Sequence, residues 1–283
     1  MKRLIIFVSV FFLTVTSFAQ NSLNVNLFLG TSNYSGDLQD SRFTFSQAHL
    51  AGGIGLSYEI TNHFAVRAGF KIGKIAADDK MGRNKVRNLN FSSQITEGTL
   101  DLQYIILPLG THVLSPYVFA GVGIYHFDPY TFDSTGRKYY LIPLSTEGEG
   151  FISGRNNYSL TQFAVPFGAG VKMPLSENIN VGLEVGYRKI FTDYLDDVSK
   201  TYVDPTLLLT NRGAKAVELS YRGDELKSGS LVYPTGSQRG NTGYKDWYYF
   251  TGLTLSFRFG NSLFGNGGGG GGNKEWDCPK NVL

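Results

Sequence analysis

Eight stretches of this chain alternate apolar and polar side chains with a period of two. Each is long enough to cross a bilayer as a tilted strand, which takes about 9–11 residues. They run over residues 23–34, 48–60, 64–75, 93–107, 116–127, 162–175, 178–191 and 247–259. In the third, Phe64, Val66, Ala68, Phe70 and Ile72 share one face, opposite Ala65, Arg67, Gly69, Lys71 and Gly73. In the seventh, Ile179, Val181, Leu183, Val185 and Tyr187 oppose Asn180, Gly182, Glu184, Gly186 and Arg188. A soluble sandwich also alternates, with its apolar face turned inward. Here the polar face mixes charges with glycines, which fits a narrow lumen where a glycine makes room for a neighbouring long side chain.

The connections distinguish the two architectures. Those at 61–63, 108–115 and 176–177 are short, whereas those after the first, third, fifth and seventh segments are longer, the longest covering 192–246. Short turns at one end and long loops at the other predict an all-β fold, an eight-stranded antiparallel transmembrane β-barrel with long extracellular loops and both termini in the periplasm. Trp247, Tyr248 and Tyr249 then fall near the outer interface, and Phe257 and Phe259 near the inner one.

The ends of the chain read differently from the middle. Lys2 and Arg3 precede an apolar run from Leu4 to Val15, and Ser17 and Ala19 stand at −3 and −1 of a cleavage position before Gln20. This is the pattern of a secretory signal peptide over residues 1–19, with the barrel over 20–259. Residues 260–283 form a tail, in which a glycine run from Gly267 to Gly272 makes a flexible linker to Trp276, Cys278 and Pro279. The residues alone leave open whether this tail is an attachment device or plain disordered chain. Cys278 is the chain's one cysteine, so an internal disulfide is excluded. A net charge of +3, dispersed along the chain, does not point to nucleic acid.

Candidate chemistry is sparse. His49, His63, His112 and His126 show no zinc-ligand spacing, and no cofactor or metal is expected. His126, Asp128 and Ser134 supply the ingredients of a hydrolase near the end of the fifth segment, with nothing to fix their geometry. Asp193, Asp196 and Asp197 form an acidic cluster at the outer rim; these carboxylates suit either Ca²⁺ or a local role, with Thr192 or Asp193 capping a short helix. The richest constellation is the inward face. Glu59, Glu97, Asp101 and Glu184 fall on it together with Arg67, Lys71, Lys172, Arg188 and Arg258. In an eight-stranded barrel the interior is just filled by side chains, so paired charges there predict a salt-bridged plug and not a conducting pore.

Several stretches resemble a known family. They are NYSGDL at Asn33–Leu38, RNLNF at Arg87–Phe91 followed by Glu97, and PYVFAGVG at Pro116–Gly123. PLSTEGEG at Pro143–Gly150, GYRKIFTDYLDDVS at Gly186–Ser199 and the Cys278-Pro279 pair complete the set. In these the chain is similar to the PorG family of type IX secretion outer-membrane proteins. The glycine run before Cys278 departs from that pattern. The resemblance implies a non-enzymatic role in protein secretion and gliding, with the tail contacting a periplasmic ring lipoprotein through Trp276, Cys278 and Pro279, Cys278 by a disulfide. Two rivals stand beside it: a lipid-modifying barrel enzyme, and an OmpA-like structural barrel with no secretion role.

Overall fold

The structure is a computed structural model, and it describes residues 22–39, 43–109, 112–226, 229, 232–243 and 245–259. Eight long strands follow the predicted segments closely. They are β1 (Leu23–Ser35), β2 (His49–Glu59), β3 (Phe64–Asp78), β4 (Asn90–Ile105) and β5 (Ser115–His126), then β8 (Thr161–Ser176), β9 (Ile179–Ile190) and β10 (Trp247–Phe259). Two further strands, β6 (Tyr130–Phe132) and β7 (Lys138–Tyr140), form a short hairpin in the loop between β5 and β8.

Each long strand pairs antiparallel with its neighbour, and β3 pairs with β4. The ring closes between β1 and β10, in register from Leu23 opposite Phe259 to Ser35 opposite Trp247. Closure leaves these eight strands without a free edge, so their backbone polar groups are satisfied inside the wall, as a membrane interior requires. Among the described residues no helix is long and apolar enough to cross a membrane; the strands do the crossing.

Burial gives the barrel its solvent. Leu29, Ile54, Phe70, Leu100, Val122 and Leu253 point outward and are 48–62% exposed, while Glu97, Asp101, Glu184 and Arg188 point inward and are 1–3% exposed. A water-soluble barrel would reverse this arrangement, because so large an exposed apolar surface is unfavourable in water. The apolar band faces lipid and the charges face the lumen. At the short-turn end a belt of rings marks the interface: Phe64 lies 5.2 Å from Tyr104, and His63 stacks on the same ring.

At the opposite end the long loops build a folded cap. It holds the β6–β7 hairpin and two short helices, α1 (Pro205–Arg212) and α2 (Ala214–Ser220). Asp204 caps α1, its carboxylate accepting from the backbone N–H groups of Thr206 and Leu207. Pro205 opens the helix, where its missing N–H costs nothing. The expected helix at Thr192 or Asp193 is absent: there Thr192 accepts from the N–H of Tyr194 in a turn, and the helix starts a dozen or so residues later. The core straddles the junction of barrel and cap, with Phe28, Ile75, Ile95 and Phe250 from the wall meeting Phe127, Leu141 and Leu195 from the loops. A second, smaller core of Val203, Leu208 and Ala216 lies within the cap itself.

Candidate functional site

The lumen is filled in layers. Nearest the short turns, Arg258 reaches Glu59 at 3.2 Å, and Glu59 also accepts from the Ser22 hydroxyl at 2.7 Å. Above them Arg67 bridges two strands, binding Asp101 at 3.1 Å and also pairing with Glu184. Lys71 donates to the other oxygen of Glu184 at 2.9 Å, and the Tyr117 hydroxyl donates to Glu184 at 3.0 Å. The next layer is Arg188, whose Nε donates to both oxygens of Glu97 at 3.0 and 3.1 Å and whose Nη2 pairs with the same carboxylate. Tyr248 completes it with a hydrogen bond to Glu97 at 2.9 Å.

Three of these cations also sit on an aromatic face. Arg67 lies 4.5 Å from the Phe119 ring, Lys71 4.4 Å from Phe28, and Arg188 4.6 Å from Phe250. Lys172 has no carboxylate partner among the described ion pairs, and its ammonium lies 5.7 Å from the Tyr117 ring. The glycines on this face create the room. A Cβ on Gly170 would meet the Tyr117 ring tip at 2.4 Å, and one on Gly186 would meet Arg188 Nη1 at 2.6 Å. Near the short-turn end lies a cavity of about 30 Å³, lined by Asn24, Glu59, Lys172 and Asn180 among others. That is room for one or two waters and not for a solute.

All nine charges predicted for the lumen thus lie on the inner face, and eight of them pair. Tyr117 and Tyr248 are partners that the sequence reading missed. Tyr248 was expected at the lipid interface, but it occupies an even position in β10, shares the face of Phe250 and points inward. Tyr249 does face outward, yet Phe43 stacks on it at 5.2 Å and covers it.

The mouth at the cap end is closed by a second network, and here the family-like stretches converge. Tyr34 of NYSGDL contacts Asp196 at 2.5 Å and Asp246 at 3.1 Å. Arg87 of RNLNF grips Asp79 in two hydrogen bonds of 2.6 and 2.7 Å and donates to the Asp37 carbonyl. Thr146 and Tyr158 donate to the two oxygens of Asp197 at 2.6 and 2.7 Å. Glu147 accepts from the backbone N–H groups of Ser199 and Lys200 and pairs with Arg239 at 3.1 Å. In PLSTEGEG the alternating glycines have a backbone reason: Gly148 and Gly150 sit at φ of +83° and +80°, where other residues are strained.

Asp193, Asp196 and Asp197 thus lie inside the cap, each held separately; Asp193 accepts from the Ser199 hydroxyl at 2.7 Å. Among the described residues no three His, Cys, Asp or Glu side chains converge as metal ligands. Burial, with too few cations nearby, raises these carboxyls. Asp193 and Asp197 are pushed up to about 6 and Glu149 to about 8, in each case chiefly by desolvation. Desolvation also lifts Asp196, reinforced by Asp37, and Asp246, reinforced by Asp196. Geometry agrees in direction: the Tyr34 hydroxyl has one proton and faces both Asp196 and Asp246, an arrangement that a proton on one of the two carboxyls would satisfy.

The hydrolase ingredients do not assemble. His126 Nδ1 lies 2.9 Å from the Thr161 hydroxyl, and Ser134 is exposed at the tip of the hairpin, with no hydrogen bond to His126 among the described residues. Trp276, Cys278 and Pro279 lie outside the described residues, as does the 1–19 segment.

Among solved structures the chain is similar to Ail of Yersinia pestis, at 10% identity and a TM-score of 0.41, covering 85% of this chain and 100% of that one. It is also similar to a major outer membrane protein of Thermus thermophilus, at 15% identity and a TM-score of 0.42 (84% and 99% covered), and to Neisserial surface protein A, at 8% and 0.40 (84% and 97%). No curated protein matches it. Residues 2–204 match the model of the domain of unknown function DUF6089, and this closed eight-stranded membrane barrel belongs to that family.

Proposed function

We propose that the protein is a non-enzymatic outer-membrane component of the type IX secretion and gliding machinery, which holds a periplasmic lipoprotein ring to the membrane. The observation that carries this is a lumen packed with ion pairs beneath a folded cap. A barrel so filled offers no path for a solute, which leaves surface contacts as its means of action. The resemblance to the PorG family supplies the kind of contact. Its two most specific stretches, around Glu147 and Asp197, form the interior of one cap network, so their residue types are accounted for as a unit.

On this proposal residues 1–19 direct export and are removed, and both termini of the mature barrel lie in the periplasm. Residues 260–283 reach the ring, where the glycine linker raises the local concentration of the Trp276–Cys278–Pro279 segment. An oxidising periplasm permits a mixed disulfide at Cys278.

The test is purification of the tagged protein in mild detergent, comparing the full chain with one lacking residues 260–283. The proposal expects a periplasmic lipoprotein to co-purify with the full chain only, and secretion to fail in the truncated strain while the barrel still inserts. Normal secretion in that strain would favour an OmpA-like structural barrel. An altered lipid profile would favour the enzyme. For the covalent contact, wild type and Cys278→Ser running identically on a non-reducing gel would exclude it.

A further inference from the structure

We infer that the outer wall of the barrel carries a binding site for a phosphorylated lipid from the leaflet on the cap side. This rests on the membrane-spanning fold alone and is independent of the secretion role. The site is a groove of about 620 Å³ running across the outside of β1 to β5 beneath the β6–β7 hairpin. Its floor is apolar: Leu29, Leu50 and Ile72 are 61%, 76% and 41% exposed and continue the lipid-facing band upward.

The groove lies where the wall changes solvent. On β3 the outward residues run from Phe70 and Ile72 to Lys74, and on β4 from Leu100 to Thr96 and Gln94. On β5 they run from Ile124 to His126, with Asp128 just beyond. Apolar positions thus give way to polar ones on three neighbouring strands within the groove, at the depth of a lipid headgroup.

Two lysines, Lys74 and Lys138, line this space. Lys138 lies 3.7 Å from the Tyr130 ring and 4.3 Å from the Tyr140 ring, and donates to the Tyr140 hydroxyl at 3.0 Å. Lys74 approaches the same Tyr130 ring from the barrel wall at 6.0 Å. Neither lysine takes part in an ion pair among the described residues, so both keep donors for an incoming anion. Asp128 is the one carboxylate among the described residues lining the groove, against the two lysines Lys74 and Lys138.

A phosphate between the two lysines would gain charge-assisted hydrogen bonds, and the hairpin holds one of those lysines in place beforehand. Free phosphate would satisfy the lysines alone and leave the floor bare. A phosphorylated lipid satisfies both, since its chains continue down over Leu29 and Ile72 into the bilayer. Because its floor is continuous with the exposed apolar band at Leu29 and Ile72, such a lipid would enter laterally.

The test is native mass spectrometry of the full chain in detergent micelles offered phosphatidic acid and phosphatidylcholine with matched acyl chains. The expected result is preferential retention of one phosphatidic acid. Lys74→Gln/Lys138→Gln should reduce that preference by at least about tenfold, as two charge-assisted hydrogen bonds are lost. Lys138→Arg should keep it. Heat-modifiable gel mobility reports that each variant is folded, and the single lysine variants serve if the double variant inserts poorly. Equal retention of the two lipids by wild type, or unchanged preference in the lysine variants, overturns the site. Displacement by inorganic phosphate assigns the lysines to a free anion and overturns the lipid.

Discussion

Replacing Arg188 with Met isolates one layer of the lumen plug. The side chains of Arg188 and Glu97 are 2% and 1% exposed, so solvent screening does not weaken their interaction. Removing the guanidinium deletes three hydrogen bonds to Glu97 and leaves that carboxylate with the Tyr248 hydroxyl alone. Breaking a buried pair from one side costs about 3–5 kcal/mol, because the remaining charge loses its main compensation. Taking out both charges is different. Glu97→Leu/Arg188→Met leaves no buried charge; it takes partners from the Tyr248 hydroxyl and from the Gly186 carbonyl, a penalty of about 1–3 kcal/mol, while the new apolar side chains pack against Phe250. The double variant should therefore be more stable than Arg188→Met alone, with a coupling energy of roughly 2 kcal/mol or more. Urea unfolding of the refolded barrel in micelles, followed by tryptophan fluorescence and by heat-modifiable mobility, measures all four corners of the cycle. If Arg188→Met costs under about 1 kcal/mol, or the two substitutions simply add, the plug is not a tightly coupled charge layer and the energetic account fails.

The cap carboxyls give a pH dependence of definite sign. Their folded values lie above the ordinary ones, so their contribution is most favourable below about pH 4 and is lost as pH rises through about 6 for Asp193 and Asp197 and about 8 for Glu149. Limited proteolysis of the loops should thus quicken from pH 5 to pH 8.5, and Glu149→Gln, which removes the highest of these titrations, should slow it at the upper end by a few kcal/mol of cap opening; flat cleavage rates across that range would contradict the burial. Leu100→Arg, at a lipid-facing position that is 53% exposed, should cost roughly 2–4 kcal/mol in insertion measured by refolding into vesicles, whereas a variant that refolds like wild type would deny that this face meets lipid. Gly170→Val should destabilise the barrel by at least about 1–3 kcal/mol in the same urea assay, because its Cβ would meet Tyr117 at 2.4 Å and displace it from Glu184; a neutral result would mean the lumen is looser than described.

The barrel was legible because its physics is local and repetitive. A period of two sorts Arg67, Lys71 and Glu184 onto one face whatever their partners are, and loop lengths separate a short-turn end from a long-loop end. The cap was not legible, because its contacts join residues with no shared period. Tyr34 and Asp196 stand 162 positions apart, and nothing in either neighbourhood names the other. The acidic run at Asp193–Asp197 looked like a surface feature for the same reason: the hydroxyls that bury it come chiefly from Tyr34, Thr146 and Tyr158. The resemblance to a family did mark these stretches, though as motifs and not as one network. Tyr248 shows the remaining error, where residue type was read ahead of strand parity.

Single-channel recording is the most direct check on a barrel closed from within. With the purified full-length protein inserted in a planar bilayer, the ion-paired layers at Arg67–Glu184 and Arg188–Glu97 should hold the trace at baseline, without discrete steps. Steady, ohmic steps from the wild-type protein would mean that ions pass through those layers, and an anchoring role deduced from a blocked lumen would lose its footing.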